Sequence, residues 1–251
     1  MRDRITPVVL TRDEAPNIGR TLAQLAWAGE VIVVDSFSTD ETLAIAATFP
    51  NVRVVQRAFD TLAAQASFGA EQCRTPWMLL MDADYFLTDE LIGELGTLAP
   101  PPGVHAYTAS FGYAIGGRPL RASLYPARVL LLHRDHCEFW QDGHAHRVRV
   151  QGETGALRGK VIHDDRKSFR RFVERQRRYM RQEAAKLRAA DPRTLNLAGR
   201  IRKLIVVAPI AVLVHTLFVK RLILDGIPGL HYTFERVVAE SILSYEMLRR
   251  S

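Results

Sequence analysis

Two aspartates with one residue between them, Asp82 and Asp84, directly follow the apolar run 77–81. Carboxylates in that spacing at a strand end suit a hard divalent cation, Mg²⁺ or Mn²⁺. Such an ion takes one or two carboxylates and completes its shell with phosphate oxygens and water. Asp-x-Asp is also a frequent turn or helix cap. Here Thr88-Asp89-Glu90 supplies the start of the next helix, so capping does not account for the pair. Two more polar clusters interrupt apolar runs upstream, at residues 11–14 and 35–40.

The elements that must position these clusters follow from hydrophobic periodicity. Short apolar runs alternate with helical patterns through the first hundred residues, the mark of βαβ units around a parallel sheet. Strands are expected at 5–10, 30–34, 52–56 and 77–81, and helices at 17–27, 39–49 and 62–73. Ligands of open α/β sheets bind at the carboxyl ends of the strands, where all three polar clusters fall. After Pro100-Pro101-Pro102-Gly103 the pattern changes to short alternating strands broken by glycines, a β-rich second half. Residues 165–190 form an expected helix, with Phe169, Phe172, Val173, Met180, Ala184 and Leu187 on one side and arginines over much of the rest. Residues 204–219 are mostly apolar, but a spanning helix needs about 20 such residues, so a buried or interfacial helix is expected.

Composition narrows the class. The chain has 251 residues, 47% hydrophobic and 24% charged, which fits one large or two small globular domains and excludes disordered, collagen-like and coiled-coil chains. The formal charge of +7 is unevenly spread. Residues 1–165 hold 15 Lys/Arg against 20 Asp/Glu, residues 166–203 hold 14 against 3, and residues 204–251 hold 5 against 4. No zinc-finger spacing, RNP-like aromatic motif or basic-zipper heptad accompanies the basic segment, so nucleic acid is not the expected partner. A basic amphipathic helix beside an apolar stretch is the pattern of binding to an anionic membrane surface, with a solvated face as the plain alternative. Cys73 and Cys137 are expected to be small buried hydrophobes, as suits a reducing compartment. The N-terminal residues have no secretory h-region or cleavage site and are expected to belong to the fold.

Val8-Val9-Leu10-Thr11-Arg12-Asp13-Glu14 with Asn17-Ile18, then Glu30 through Thr42, then Asp82-Ala83-Asp84, resemble in that order the family 2 glycosyltransferases of GT-A fold. The likeness covers roughly the first hundred residues. Leu124-Tyr125-Pro126 with Arg128 and Leu130, Asp142-Gly143-His144-Ala145-His146, His163 and the stretch from Leu224-Asp225-Gly226 to Tyr232 are similar, more loosely, to lipopolysaccharide-core β-glucosyltransferases. The resemblance implies an α/β, Rossmann-like nucleotide-sugar-binding sheet with a β-rich acceptor half and C-terminal helices. It also implies inverting transfer of a hexose from a UDP-sugar to a lipid-linked saccharide or other envelope acceptor, with Mg²⁺ or Mn²⁺. Residue by residue, Thr11, Glu14 and Asp35 would line the uridine pocket. Gln65 and Arg128 would bind the nucleotide sugar, Asp82 would sit near ribose and metal, and Asp84 and His163 would ligate the metal.

The chain departs from the family pattern at several positions. Relatives tend to have an acidic residue where Tyr85 stands, Gln-Lys-Asn at Gln65-Ala66-Ser67, and Val-His-Glu at Ala145-His146-Arg147. Arginine cannot serve as a base, so Asp142 and His146 are the candidates for the general base, with His144 behind them. Asp35 equally fits a strand-end turn with Ser36 and Ser38, and Asp40 fits a helix start. The expected organisation is a transferase domain over 1–165, with its nucleotide-sugar half at 1–100 and its acceptor half at 101–165, followed by a basic and apolar helical region over 166–251. The expected location is the cytoplasmic face of the cell membrane, held peripherally. The competing functions are a catalytically idle nucleotide-sugar-binding or assembly protein and a nucleotidyltransferase. The second is disfavoured because no Gly-rich, Lys-containing loop follows the first strand.

Overall fold

Apolar runs without polar interruption become strands covered on both faces. In the computed structural model, which describes residues 1–142 and 145–249, these are β1 (Ile5–Thr11) and β2 (Val31–Asp35), each buried along its whole length, and β4 (Trp77–Asp82), buried but for its last residue. The more polar β3 (Val52–Gln56) takes the sheet edge beside β2. The chain divides into two units, Met1–Tyr113 with Leu124–Arg166, and Ala114–Ser123 with Lys167–Ser251.

In the first unit β3, β2, β1 and β4 run parallel in that order. The sheet continues through β8 (Arg128–His133), β6 (Val104–Ile115), β11 (Glu153–His163) and β5 (Tyr85–Leu87). β8 is antiparallel to both neighbours, β11 parallel to β6, and β5 antiparallel to β11. Helices α1 (Ile18–Ala23), α2 (Thr42–Ala46), α3 (Leu62–Gln72) and α4 (Asp89–Thr97) fill the crossovers. Successive residues of a strand face opposite sides, so Val9, Val31 and Val33 join Ile18 and Leu22 in one core while Val8, Ile32 and Val34 join Ala66 in another. β9 (Cys137–Asp142) and β10 (Ala145–Val150) form a separate antiparallel ribbon. The α/β parallel sheet and the β-rich continuation are as the sequence predicts.

Three expected helices differ in this unit and at its exit. The one expected at 17–27 ends at Ala23 as α1, and the chain goes on in a turn in which the Leu25 amide donates to the Leu22 carbonyl at 2.9 Å. The helix expected at 39–49 shrinks to α2, because the Asp40 carboxylate accepts from the Thr42 amide (3.0 Å) and hydroxyl and holds the preceding residues out of the helix. The long helix expected from 165 starts instead as α5 (Phe169–Ala189), with Ser168 as N-cap. Residues 164–166 are taken by other bonds: Asp164 pairs with Arg20, Asp165 accepts from Asn17 Nδ2 at 3.3 Å, and the Arg166 amide donates to Asn17 Oδ1 at 3.1 Å.

The second unit is helical apart from a short hairpin. β7 (Arg118–Pro119) pairs with the end of β6, Ala114 with Pro119 and Ile115 with Arg118. Arg121, just beyond it, bonds Asp225 through its Nε at 2.7 Å and its amide at 3.1 Å. α5 packs on α8 (Ile227–Leu248) through Ala184, Leu187 and Leu243. The stretch 204–219 is neither one helix nor buried. α6 (Leu197–Lys203) ends before Ile205, whose φ is +56°, α7 (Val207–Val214) runs into a π turn at His215–Val219, and Arg221 is again left-handed at φ +56°. Left-handed residues break helical continuity, and most of the apolar side chains of this stretch face solvent.

Candidate active site

Strand register levels the three polar clusters. Thr11 lies beside Asp35 across β1 and β2, and Leu10 beside Asp82 across β1 and β4, so the ends of three neighbouring strands form one row. The loops that follow are laced together. The Asp13 amide donates to Ser38 Oγ (2.9 Å), the Thr39 amide to Asp13 Oδ1 (2.8 Å) and the Glu14 amide to Thr42 Oγ1 (2.7 Å). This lacing holds Asp13 and Phe37 at φ +52° and +56°. Left-handed non-glycine residues mark a backbone held by its surroundings, and here they leave the Phe37 ring exposed at the rim.

Within this row the predicted nucleotide-sugar residues divide. Asp35 is fully buried, and its carboxylate accepts from the Ser38 amide (3.0 Å), the Ser38 hydroxyl and Gln56 Nε2 (3.1 Å), the strand-end turn among the expectations. Glu14 is buried and accepts from Asn17 Nδ2 at 2.9 Å. Thr11 and Gln65 differ from both. Gln65 Nε2 donates to Ser36 Oγ and to the Arg57 and Ala58 carbonyls, while Gln65 Oε1 and Thr11 Oγ1 are buried and find no partner among the described residues. Unpaired buried polar atoms are costly, and they point to a group the protein alone does not contain.

Asp84 and His163 meet although 79 positions separate them. β11 ends beside β5, with His163 opposite Tyr85, and this brings His163 Nε2 to 3.3 Å from Asp84 Oδ2. The His163 ring is boxed by Tyr113 (stacked, centroids 4.7 Å), Tyr125 (5.2 Å) and Tyr85 (5.9 Å). Among the described residues no group of three or more His, Cys, Asp or Glu is arranged to hold a metal. One carboxylate and one imidazole side by side nevertheless fit a cation that draws its other ligands from diphosphate and water. Asp164, next in sequence, donates its amide to the Asp84 carbonyl (3.1 Å) and is itself clamped by Arg20 and by Arg166 (3.1 Å), which fixes the end of β11.

A phenol pair missed by the sequence reading backs this site. The buried Tyr85 hydroxyl lies 3.1 Å from that of Tyr125, and the Arg128 guanidinium sits 4.6 Å from the Tyr125 ring centre. Burial, with the nearby Asp82 charge adding to it, holds the Tyr85 phenol well above its ordinary range; burial pushes Tyr125 up to about 12. Both stay neutral and able to donate. The sequence signals were Tyr85, standing where relatives carry an acid, and Tyr125 in the Leu124-Tyr125-Pro126 stretch with Arg128; their pairing was not among the expectations.

The β9–β10 register separates the two base candidates. His146 is opposite Gln141, and Asp142 is opposite Ala145, so His146 and Asp142 belong to opposite faces of the ribbon. The Gln141 face meets α3, where the Ala63 amide donates to Gln141 Oε1 at 3.2 Å. His146 feels the charges of Asp82 and Arg128, and burial lowers its pKa, which favours the neutral imidazole. Asp142 instead accepts from Arg147 Nε at 3.1 Å. His144 lies outside the described residues.

Comparison with known proteins follows the same residues. The profile described as Glycosyl transferase family 2 matches residues 7–150. An uncharacterized glycosyltransferase of Rickettsia bellii is 31% identical over 133 residues, covering 53% of this chain and 40% of that protein. A lipopolysaccharide core biosynthesis glycosyltransferase, LpsC, of Rhizobium meliloti is 30% identical over 95 residues, covering 36% of this chain and 35% of that one. The matches thus span less than half the length of these relatives. Among solved structures, S. aureus TarS 1-349 in complex with UDP-GlcNAc superposes with a TM-score of 0.48 at 14% identity, over 97% of this chain and 89% of that one.

Proposed function

Because the chain belongs to glycosyl transferase family 2, we propose that it transfers a hexose, with inversion, from a UDP-sugar to a lipid-linked saccharide or other envelope acceptor, dependent on Mg²⁺ or Mn²⁺. The observation that carries this reading is the pair of buried, unpartnered oxygens, Thr11 Oγ1 and Gln65 Oε1, in the first unit that also brings Asp84 and His163 together. Thr11, Glu14 and Gln65 would receive the nucleotide, with Asp35 stiffening the loop from which they are reached. Asp82 and Arg128 would face the ribose and diphosphate. A divalent cation held by Asp84 and His163 would supply charge to the departing diphosphate.

His146 fits the base better than Asp142, since it carries the neutral imidazole on the face shared with Gln141 and senses Asp82. His146 takes the proton of the acceptor hydroxyl, the hydroxyl oxygen bonds to C1 of the sugar, and the C1–O bond to diphosphate breaks on the opposite side. The bonding electrons leave with UDP, whose charge Arg128 helps to offset. The lipid-linked acceptor is supported by the Rhizobium relative, a lipopolysaccharide core biosynthesis glycosyltransferase. It also accords with the basic solvent face of α5, where Arg170, Arg171, Arg177 and Arg178 are exposed. The proposed attachment is peripheral, on the cytoplasmic face of the membrane; no helix among the described residues is long and apolar enough to cross one.

The test is UDP release from a UDP-hexose with Mn²⁺, measured with and without acceptor lipid extract. Acceptor-dependent release that Asp84→Ala lowers by about two orders of magnitude or more is expected. UDP-sugar binding without release in any extract would favour the idle binding protein, the reading motivated by Tyr85 and Arg147. Unimpaired transfer by Asp84→Ala would overturn the metal assignment.

A further inference from the structure

We propose that the second unit carries a surface that inserts shallowly into an anionic lipid bilayer, built from α7, the π turn that follows it, the 3-10 turn Leu222–Asp225 and the first turns of α8. The inference rests on the transferase reading only for its purpose, which is to keep the chain where a lipid-linked acceptor is found.

The side chains argue for it directly. Along α7, Val207, Ile210 and Val214 recur at helical spacing on the exposed side, while Ala208 and, beyond the helix, Thr216 are buried. α8 packs against α7 and presents Ile227, Leu230 and Phe234 at the same spacing. Exposure is high where it matters: 65% at Ile210, 60% at Phe218, 62% at Leu224 and 81% at Ile227. Water-exposed apolar side chains scattered singly are ordinary, but a continuous face of this kind marks a surface that something covers. α7 has only eight residues, and α8, although 22 residues long, is not apolar enough to cross a bilayer, so the face fits the plane of the interface.

Charge selects the occupant. From residue 192 to residue 224 the chain has six Lys/Arg and no Asp or Glu. Arg202 is bound by Glu240, at 3.0 Å through its Nε, whereas Arg200, before the apolar face in sequence, and Arg221, between its π and 3-10 turns, are exposed, and Lys220 is half-exposed. A second copy docking about a twofold axis would set these cations against themselves, and Asp225, the acid of the 3-10 turn, is already bonded by Arg121 at 2.7 Å. A layer of phosphate headgroups pairs with them while the acyl chains receive Ile210, Phe218 and Ile227.

The experiment is co-sedimentation of the full chain with vesicles of phosphatidylcholine, with and without phosphatidylglycerol. The wild-type chain is expected to partition onto the anionic vesicles. Ile210→Glu, Phe218→Glu and Ile227→Glu, all at exposed positions and therefore expected to keep the wild-type melting temperature, each lower that partition about tenfold or more. Arg200→Gln and Arg221→Gln lower it about fivefold each on anionic vesicles at low salt, and leave binding to pure phosphatidylcholine unchanged. Glutamate variants that sediment with vesicles as the wild type does would overturn the proposal. So would a wild-type dimer that ignores vesicles and is split by Ile210→Glu, which would assign the face to a second copy. UDP titration of the same samples keeps the two readings apart. Intact UDP binding with no vesicle binding refutes the surface alone, and vesicle binding without UDP binding refutes the transferase alone.

Discussion

At His146 burial is the largest influence on the imidazole and disfavours its charge; Asp82 opposes it, and Arg128 and Arg147 add to it. The folded pKa therefore lies below the ordinary value of about 6.5, and a base of this kind keeps working at a pH where a free imidazole is already protonated. The acid limb of kcat/KM is expected below pH 6.5. His146→Ala is expected to lose about 10²–10⁴ in kcat while holding UDP with unchanged affinity. A pH–rate profile that His146→Ala leaves in place, or an equal loss from Asp142→Ala, would return the role to the other face of the ribbon. At this scale the Asp82/Asp84 pair was legible because its spacing and its place after an apolar run are local. The Tyr85–Tyr125 pair and the stacking of Tyr113 on His163 were not, since they join residues far apart in sequence, from β5, β6, β11 and the segment before β8, that only the fold makes neighbours.

The elements show the same division between local and distant causes. β1 to β4 fall within a residue of their expected ends, because a strand covered on both faces is an apolar run and polar residues end it. α4 begins where Thr88-Asp89-Glu90 predicts, the Thr88 side chain accepting from the Leu91 amide at 3.3 Å. The start of α5 was misjudged because Asn17 and Arg20, far away in sequence, claim residues 164–166. Periodicity alone has no access to such competition. One contact between elements has a measurable consequence. Gly159 of β11 lies against α4 so closely that a Cβ there would sit 2.5 Å from the Leu91 amide nitrogen, a backbone atom that cannot swing aside. Gly159→Ala is expected to cost about 1–3 kcal/mol and to lower the melting temperature by several degrees. A melting temperature equal to that of the wild type would show that α4 gives way freely.

For the whole molecule the overall charge of +7 conceals an acidic first unit and a basic segment that follows it, and acid pH acts on the first through a histidine cluster. His105 and His136 stack at 3.8 Å, with His133 4.8 Å from His136. Burial, His136, His105 and Arg4 lower the pKa of His133 and Asp135 raises it, with the net direction downward. A histidine whose folded pKa is depressed binds its proton more readily when unfolded, so its stabilising contribution is present above pH 6.5 and lost as pH falls below it. Melting temperature is expected to fall between pH 7 and pH 5 and to fall less in His136→Asn. An identical slope in that variant would place the acid sensitivity elsewhere.

The segment Ala114–Ser123, which belongs with the helices although it is flanked on both sides by residues of the sheet, sets an order in time. When the ribosome has delivered Arg166, every strand of the main sheet has been made, but Arg121 must wait for Asp225, 104 residues later. A fragment ending at 166 therefore retains an orphaned insertion. Unlike enzymes whose tails can be clipped or exchanged as modules, this chain threads its second unit through the first one's sequence, so that neither is obtained by a single cut.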